Sequence, residues 1–212
     1  MKTTLLNTTF ALALLFSFTS CKDKAKEAET TEAEEVAVAE VTADKFTAIP
    51  EETTITWTGY KPTGSHTGTI LVKNGELSVE DGMIESGNFT IDMASLKDSE
   101  GSEKLEGHLK SADFFEVETY PTATFEITDM DQTSDKTMIS GNLTLKGTTN
   151  NISFPVAITE EGDMMTLTSD TFTIDRSKWN VKYGSKSFFD DLGDKFINDD
   201  IELTIVMKAK KS

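Results

Sequence analysis

Cysteine is nearly absent from this sequence: Cys21 is the only one among 212 residues, so the chain cannot form an intramolecular disulfide. Histidine is almost as scarce, with only His66 and His108. A zinc site built from cysteine and histidine is therefore not expected, and we predict neither a metal nor a cofactor. Acidic residues outnumber basic residues, which gives a formal net charge of −17. Since clustered Lys and Arg bind nucleic-acid phosphates, we predict no nucleic-acid partner.

Long apolar runs are also lacking. The N-terminal run over residues 10–18 is about half of the roughly 20 residues that a membrane-spanning helix needs. Lys2 precedes this run, and small residues follow it up to position 20. A charged start, a short apolar centre and a small-residue end are typical of a cleaved export signal. The sequence therefore predicts a signal peptide over residues 1–20.

The residues that close this signal, Ser17-Phe18-Thr19-Ser20-Cys21, resemble a bacterial lipobox. The resemblance implies that Cys21 becomes the acylated N-terminus, with palmitate-like chains that anchor the protein without a helix. The alternative is a secreted protein with an unmodified thiol. We predict a cell-envelope lipoprotein that touches the membrane only through this anchor. Lys22-Asp23 lacks an aspartate directly after the cysteine, which favours the outer membrane.

Residues 21–44 have few apolar side chains large enough to build a core. Six glutamates lie among Ala, Thr and Val in this stretch, and no aromatic residue occurs there. Such a composition buries too little apolar surface to compensate for the entropy of ordering. We therefore predict that the lipidated Cys21 is followed by a disordered acidic tether up to residue 44.

Residues 45–212 have the size of one ordinary domain, and their apolar residues mostly recur with a period of two. The clearest alternating runs are 54–59, 88–93, 123–128, 139–146, 152–158 and 201–207. This period is typical of strands with one apolar and one polar face. Turns are predicted between the strands at Lys73-Asn74-Gly75, Glu80-Asp81-Gly82, Lys146-Gly147-Thr148 and Glu161-Gly162-Asp163. The pattern predicts an all-β sandwich or barrel.

Two places depart from this period. Between Ser102 and Phe115 the apolar residues Leu105 and Leu109 are four apart, and Ser102 is a suitable N-cap, so we predict one short helix. Pro155 falls inside an alternating run, which indicates an edge, a bend or a strand end because proline cannot donate to the ladder.

Several short motifs resemble the YceI-like family of polyisoprenoid-binding proteins when taken in order. They are Ser65-His66-Thr67-Gly68, Ile91-Asp92-Met93-Ala94-Ser95-Leu96, Ala112-Asp113-Phe114-Phe115, Tyr120-Pro121-Thr122-Ala123-Thr124-Phe125, the run from Gly141 to Thr149, and Ile174-Asp175-Arg176-Ser177. The match extends from about residue 56 to the C-terminus. The resemblance implies a lipocalin-like, extended antiparallel β-barrel of about eight strands. A barrel of that size is either filled by side chains or holds one small ligand.

An apolar lumen would suit the tail of an isoprenoid or a quinone-like lipid. The candidate lumen residues are Trp57, Phe89, Ile91, Ala123, Phe125, Ile127, Gly141, Leu143, Leu145, Phe154, Phe172 and Ile174. At the entrance we consider His66, Arg176, Phe188 and Phe189 as contacts for a headgroup. His66 is expected mainly to form a hydrogen bond at a strand end, and Arg176 mainly to form an ion pair with one of the many acids.

Three functions remain open on the sequence. The first is a lipid carrier, store or scavenger in the envelope. The second is an envelope enzyme acting on such a lipid, which would need a base and an activated group in the lumen. We predict no enzyme and no catalytic residues, because the sequence offers only scattered carboxylates and two histidines. The third is a structural or stress-response domain without a ligand.

Overall fold

The computed structural model describes residues 25–133 and 136–212. The strands are β1 (Lys26–Glu27), β2 (Glu29–Glu32), β3 (Asp44–Ala48), β4 (Thr54–Lys61), β5 (Gly64–Glu80), β6 (Met83–Asp98), β7 (Thr122–Gln132), β8 (Thr137–Leu145), β9 (Thr148–Glu161), β10 (Met164–Ser169), β11 (Phe172–Asp175) and β12 (Asp200–Lys211). The α-helix α1 covers Glu103–Lys110, and short 3₁₀ helices cover Pro50–Glu52, Arg176–Trp179 and Gly193–Lys195.

Eight of these strands form a closed ring. Strands β4, β5, β6, β7, β8, β9 and β10 pair antiparallel in chain order, β10 pairs with β12, and β12 returns to β4. Closure directs alternate side chains inward. The N-terminal half of β9 does not pair with β10 and pairs with β2 instead. The predicted all-β, lipocalin-like barrel with one helical insertion is confirmed.

Helix α1 follows β6 directly. Its N-cap is Ser102, whose hydroxyl accepts a hydrogen bond from the backbone nitrogen of Leu105 at 3.4 Å. Leu109 is buried, so the apolar side of the helix faces the barrel. The predicted short helix is confirmed at this position.

One predicted turn is wrong. Lys73-Asn74-Gly75 lies inside β5, at an irregularity in its pairing with β6 between Val72 and Asn74. A Cβ atom on Gly75 would lie 2.2 Å from the Cδ1 atom of Phe89. This glycine therefore makes room for an aromatic ring on the neighbouring strand.

Pro155 lies in β9, between the places where two other strands pair with it. Strand β2 pairs with β9 as far as Ser153, and β10 begins its pairing at Val156. Proline cannot donate a backbone hydrogen bond, and Pro155 lies between the part of β9 that pairs with β2 and the part that pairs with β10. Such a position is expected for a proline in a sheet.

The prediction of a disordered tether over residues 21–44 is wrong for much of its length. Strand β1 pairs parallel with β11, and β2 pairs antiparallel with β9, so residues 26–32 lie between two barrel strands. Ala28, at the centre of this segment, is only 5% exposed. Asp44 already belongs to β3. Backbone hydrogen bonds do not depend on apolar composition, which explains why an acidic segment can be ordered here.

The predicted signal peptide and Cys21 lie outside the described residues. Within the part of the chain that the structure describes, no helix is long and apolar enough to cross a membrane.

Candidate ligand cavity

An apolar cavity of about 250 Å³ lies inside the barrel. Its wall consists mainly of inward-facing residues at alternate positions of the ring strands, for example Ile201, Leu203, Ile205 and Met207 on β12. These four residues span six strand positions, or about 20 Å along the strand. The cavity is therefore long and narrow, with few polar groups in its wall.

Eleven of the twelve predicted lumen residues line this cavity. They are Trp57, Phe89, Ile91, Ala123, Phe125, Ile127, Leu143, Leu145, Phe154, Phe172 and Ile174. The exception is Gly141, a predicted lumen residue whose lack of a side chain could leave space for a ligand. A Cβ atom there would lie 2.3 Å from Cζ of Phe125, because that ring already covers the glycine. The space beside Gly141 belongs to the packed wall.

Gly59, unlike Gly141, borders open space in the cavity. It lies on the cavity wall, and no heavy atom would lie within 4 Å of a Cβ atom built on it. Its neighbours in register are His66 on β5 and Ile201 on β12.

The two ends of the cavity differ in exposure. At one end the wall residues Thr53, Val72 and Met207 are at most 4% exposed. At the other end the wall includes the exposed Lys61 and the partly exposed Asn198. The cavity is therefore closed at the first end and reaches solvent at the second, where the polar residues Lys61 and Asn198 are found.

Helix α1 and the segment after it contribute wall residues that the alternation pattern did not indicate. Leu105, Leu109, Phe114 and Phe115 all line the cavity. The spacing of Leu105 and Leu109 predicted a helix with an apolar side, but only the tertiary structure shows that this side forms part of the cavity wall.

Arg176 is fully buried, and its contacts are structural. Its guanidinium donates to the carbonyl oxygens of Val181 at 2.6 Å, Ile197 at 3.1 Å and Asn198 at 3.1 Å. One of its nitrogens lies 3.2 Å from Oδ1 of Asp199. Burial lowers the pKa of Arg176, and the nearby carboxylates oppose that shift. Although Arg176 borders the cavity, its donors are engaged, which agrees with the ion-pair interpretation.

Phe188 and Phe189 do not lie where we expected them. They are 43% and 49% exposed, and neither borders the cavity. The amino group of Lys182 lies 4.9 Å above the ring of Phe188. These residues belong to the outer surface, so their placement at the cavity entrance is wrong.

His66 borders the cavity near its open end and faces two carboxylates from β6 and the turn that follows. Its Nδ1 atom lies 3.4 Å from Oδ1 of Asp98, and Glu100 completes a cluster whose potential ligand atoms lie within 4.8 Å of one another. The local sequence pattern gave no indication of Asp98 or Glu100 as site residues. The signal that could have found them is the antiparallel pairing of β5 and β6.

Trp57 presents another polar atom in this region. Its indole Nε1 is buried and has no hydrogen-bond partner within the described chain, while its ring lines the cavity. A buried donor without a partner is uncommon in proteins.

Comparison with known proteins identifies relatives of this chain. A family model described as a YceI-like domain matches residues 46–209. A UPF0312 protein of Pseudomonas putida is 30% identical over 96 residues, which are 45% of this chain and 50% of that protein. The chain thus spans about half the length of this curated relative.

Two solved structures share the fold. The crystal structure of Burkholderia cenocepacia BcnA has a TM-score of 0.59 at 22% identity, covering 74% of this chain and 96% of BcnA. A polyisoprenoid binding domain from Saccharophagus degradans, implicated in plant cell wall breakdown, has a TM-score of 0.63 at 14% identity and covers 80% and 99% of the two chains. The YceI-like family model matches residues 46–209, which are most of the chain, and this chain therefore belongs to the YceI-like family.

Proposed function

We propose that the barrel binds an apolar chain lipid of the isoprenoid or quinone-like class, and that it acts as a carrier, store or scavenger without catalysing a reaction. The observation that carries this proposal is the narrow apolar cavity, which is closed at one end and open at the other. A chain would enter from the open end and leave its polar group near Lys61 and His66.

The energetics favour a long chain over a small apolar molecule. Each buried CH₂ group contributes about 0.8 kcal/mol. Association itself costs about 4–15 kcal/mol in lost translational and rotational freedom. A ligand that relies on apolar contacts therefore needs many carbon atoms, and a cavity that extends about 20 Å along a strand can accommodate them.

The comparisons support the class of ligand. The domain from Saccharophagus degradans that shares this fold is described as polyisoprenoid binding. The likeness supports a lipid of this type for the present chain, and the cavity wall has the apolar character that such a ligand requires.

We also propose that the protein is an envelope lipoprotein anchored through Cys21, most simply in the outer membrane. Because β1 begins at Lys26, only residues 22–25 separate Cys21 from the first strand. The five residue steps from Cys21 to Lys26 span at most about 18 Å. The barrel would consequently lie close to the membrane surface, within short reach of membrane lipids.

Reloading of the delipidated protein tests ligand binding. We expect a polyprenol and a quinone with a similar chain to cause a saturable change in tryptophan fluorescence, since Trp57 lines the cavity. Trp57→Phe should abolish most of this change, because the remaining Trp179 is buried outside the cavity wall. A fluorescence change that persists in Trp57→Phe, or no saturable change with either lipid, would contradict the proposal.

Metabolic labelling with a palmitate analogue tests the anchor. The wild-type protein should incorporate the label, whereas Cys21→Ser should not, because the sequence contains no second cysteine. Equal labelling of the two proteins would refute acylation at this residue. This result is independent of lipid binding in the cavity.

A further inference from the structure

The cluster of His66, Asp98 and Glu100 lies where β6 turns into helix α1. Gly68 is in register with Asp98, and the backbone nitrogen of Ser99 donates to the carbonyl oxygen of Thr67 at 2.9 Å. In an antiparallel pair this register brings residue 100 opposite residue 66. His66 therefore faces both carboxylates because of the strand pairing.

Glycine is required beside this cluster. A Cβ atom on Gly68 would lie 1.8 Å from the carbonyl oxygen of Lys97 and 2.6 Å from the ring of Trp57. The absence of a side chain lets β6 approach β5 closely, which places Asp98 against His66.

Two atoms of the cluster are buried and form no hydrogen bond with the described residues. Oδ1 of Asp98 and Nδ1 of His66 have no hydrogen-bond partner among the described residues, although they lie 3.4 Å apart. The side chain of Asp98 has 0% exposure, and its other oxygen accepts a hydrogen bond from the backbone nitrogen of Ser102 at 3.1 Å. Buried polar atoms are nearly always paired, so an unpaired acceptor facing an imidazole nitrogen requires an explanation.

No lysine or arginine neutralises these carboxylates within the described chain. The nearest basic residue in sequence, Lys97, pairs instead with Glu106 at 2.8 Å. The negative charge of Asp98 and Glu100 is thus available for a cation.

We propose that His66, Asp98 and Glu100 bind a divalent transition-metal ion of the zinc type. Ligand atoms about 2.1 Å from a tetrahedral ion lie about 3.4 Å apart, which equals the separation of Nδ1 of His66 and Oδ1 of Asp98. One imidazole and two carboxylates suit zinc, whereas magnesium prefers oxygen ligands alone. Three protein ligands leave a fourth position open. Because His66 borders the cavity, the ion would lie at its open end. This site does not depend on the proposed lipid binding.

Calorimetric titration of the chelator-treated protein with Zn²⁺ alone, and separately with Mg²⁺ alone, tests the site. We expect one equivalent of Zn²⁺ to bind and Mg²⁺ to bind at least tenfold more weakly. His66→Gln, Asp98→Asn and Glu100→Gln should each weaken Zn²⁺ binding at least tenfold. Glu100→Gln changes the ligand outside the strands, so it remains informative if Asp98→Asn does not fold. Circular dichroism verifies the fold of each variant.

Two variants serve as controls. Glu103→Gln removes an exposed carboxylate in the first turn of α1, and His108→Gln removes the second histidine. Both should bind Zn²⁺ as the wild type does. The proposal is overturned if no saturable Zn²⁺ binding occurs, as expected for a simple ion pair between protonated His66 and Asp98. It is also overturned if binding survives in the cluster variants or is lost in His108→Gln.

Discussion

Leucine substitution at Gly59 would place a side chain in the cavity at a position where no heavy atom lies within 4 Å of the added Cβ atom. The new side chain adds four carbon atoms, which at about 0.8 kcal/mol per CH₂ would contribute up to about 3 kcal/mol if fully buried. Removing a glycine from a strand raises the free energy of unfolding by about 0.5–1 kcal/mol, and ordering the new side chain lowers it by a similar amount. Because this end of the cavity reaches solvent, we expect Gly59→Leu to raise the free energy of unfolding of the lipid-free protein by about 1–2 kcal/mol.

Gly141→Leu is the matched control, because it introduces the same side chain at another inward position of the barrel. There the Cβ atom would lie 2.3 Å from Cζ of Phe125 and 2.8 Å from the carbonyl oxygen of Glu126. Overpacking of this kind costs about 1–3 kcal/mol, so Gly141→Leu should unfold more easily than the wild type.

Denaturant midpoints of both delipidated variants, together with the amount of lipid each retains after reloading, provide the assay. Gly59→Leu should gain stability and lose lipid. If instead it is destabilised as strongly as Gly141→Leu, the space around Gly59 is already filled. If it is stabilised but retains lipid at the wild-type level, the ligand does not occupy this cavity.

Other predictions concern the parts of the fold that support the cavity. Ala28→Glu places a carboxylate at a buried position of the inserted N-terminal segment, so it should lower the thermal midpoint by several degrees, whereas Thr31→Glu at an exposed position of β2 should not. Arg176→Met leaves three carbonyl oxygens without their donor and should lower the free energy of unfolding by about 3–5 kcal/mol, measured by denaturant titration. Hydrogen bonds from Lys97 and the backbone lower the pKa of Glu106 from its usual 4.5, so the stability it contributes is present above that pH and is lost as the pH falls further. Glu106→Gln should therefore flatten the acid limb of a plot of stability against pH. An unchanged acid limb would contradict this role.

The barrel wall could be predicted because a period of two is a local property of the chain. Eleven of the twelve residues predicted in this way line the cavity, since inward and outward positions alternate along each strand. Gly141 was misassigned because a small inward residue leaves space only if no neighbour covers it. Whether the ring of Phe125 lies over that glycine depends on pairing between β7 and β8, which the local pattern does not contain.

The N-terminal segment shows a different reason for failure. Its composition predicts little apolar burial, and Ala28 is indeed one of its few buried side chains. Residues 26–32 are ordered because β9 and β11 offer unpaired backbone groups that this segment can satisfy. An edge created elsewhere in the fold is invisible in the sequence of the segment that fills it.

The cluster of His66, Asp98 and Glu100 could not be predicted from the sequence for a similar reason. His66 and Asp98 are 32 positions apart, and β5 pairs with β6 through three irregularities of register. Each bulge changes which residues lie opposite each other, so counting along the sequence does not bring these side chains together.

Organic extraction of the protein purified from its own host, followed by mass spectrometry, shows whether the barrel holds a lipid. We expect an apolar chain lipid in near-stoichiometric amount with the wild-type protein, and much less of the same lipid with Gly59→Leu. If Cys21 is acylated as proposed, those covalently attached chains would stay with the protein during a mild extraction, which would separate the anchor from the ligand. Recovery of no apolar lipid, or equal recovery from the two proteins, would show that the barrel cavity does not bind such a lipid.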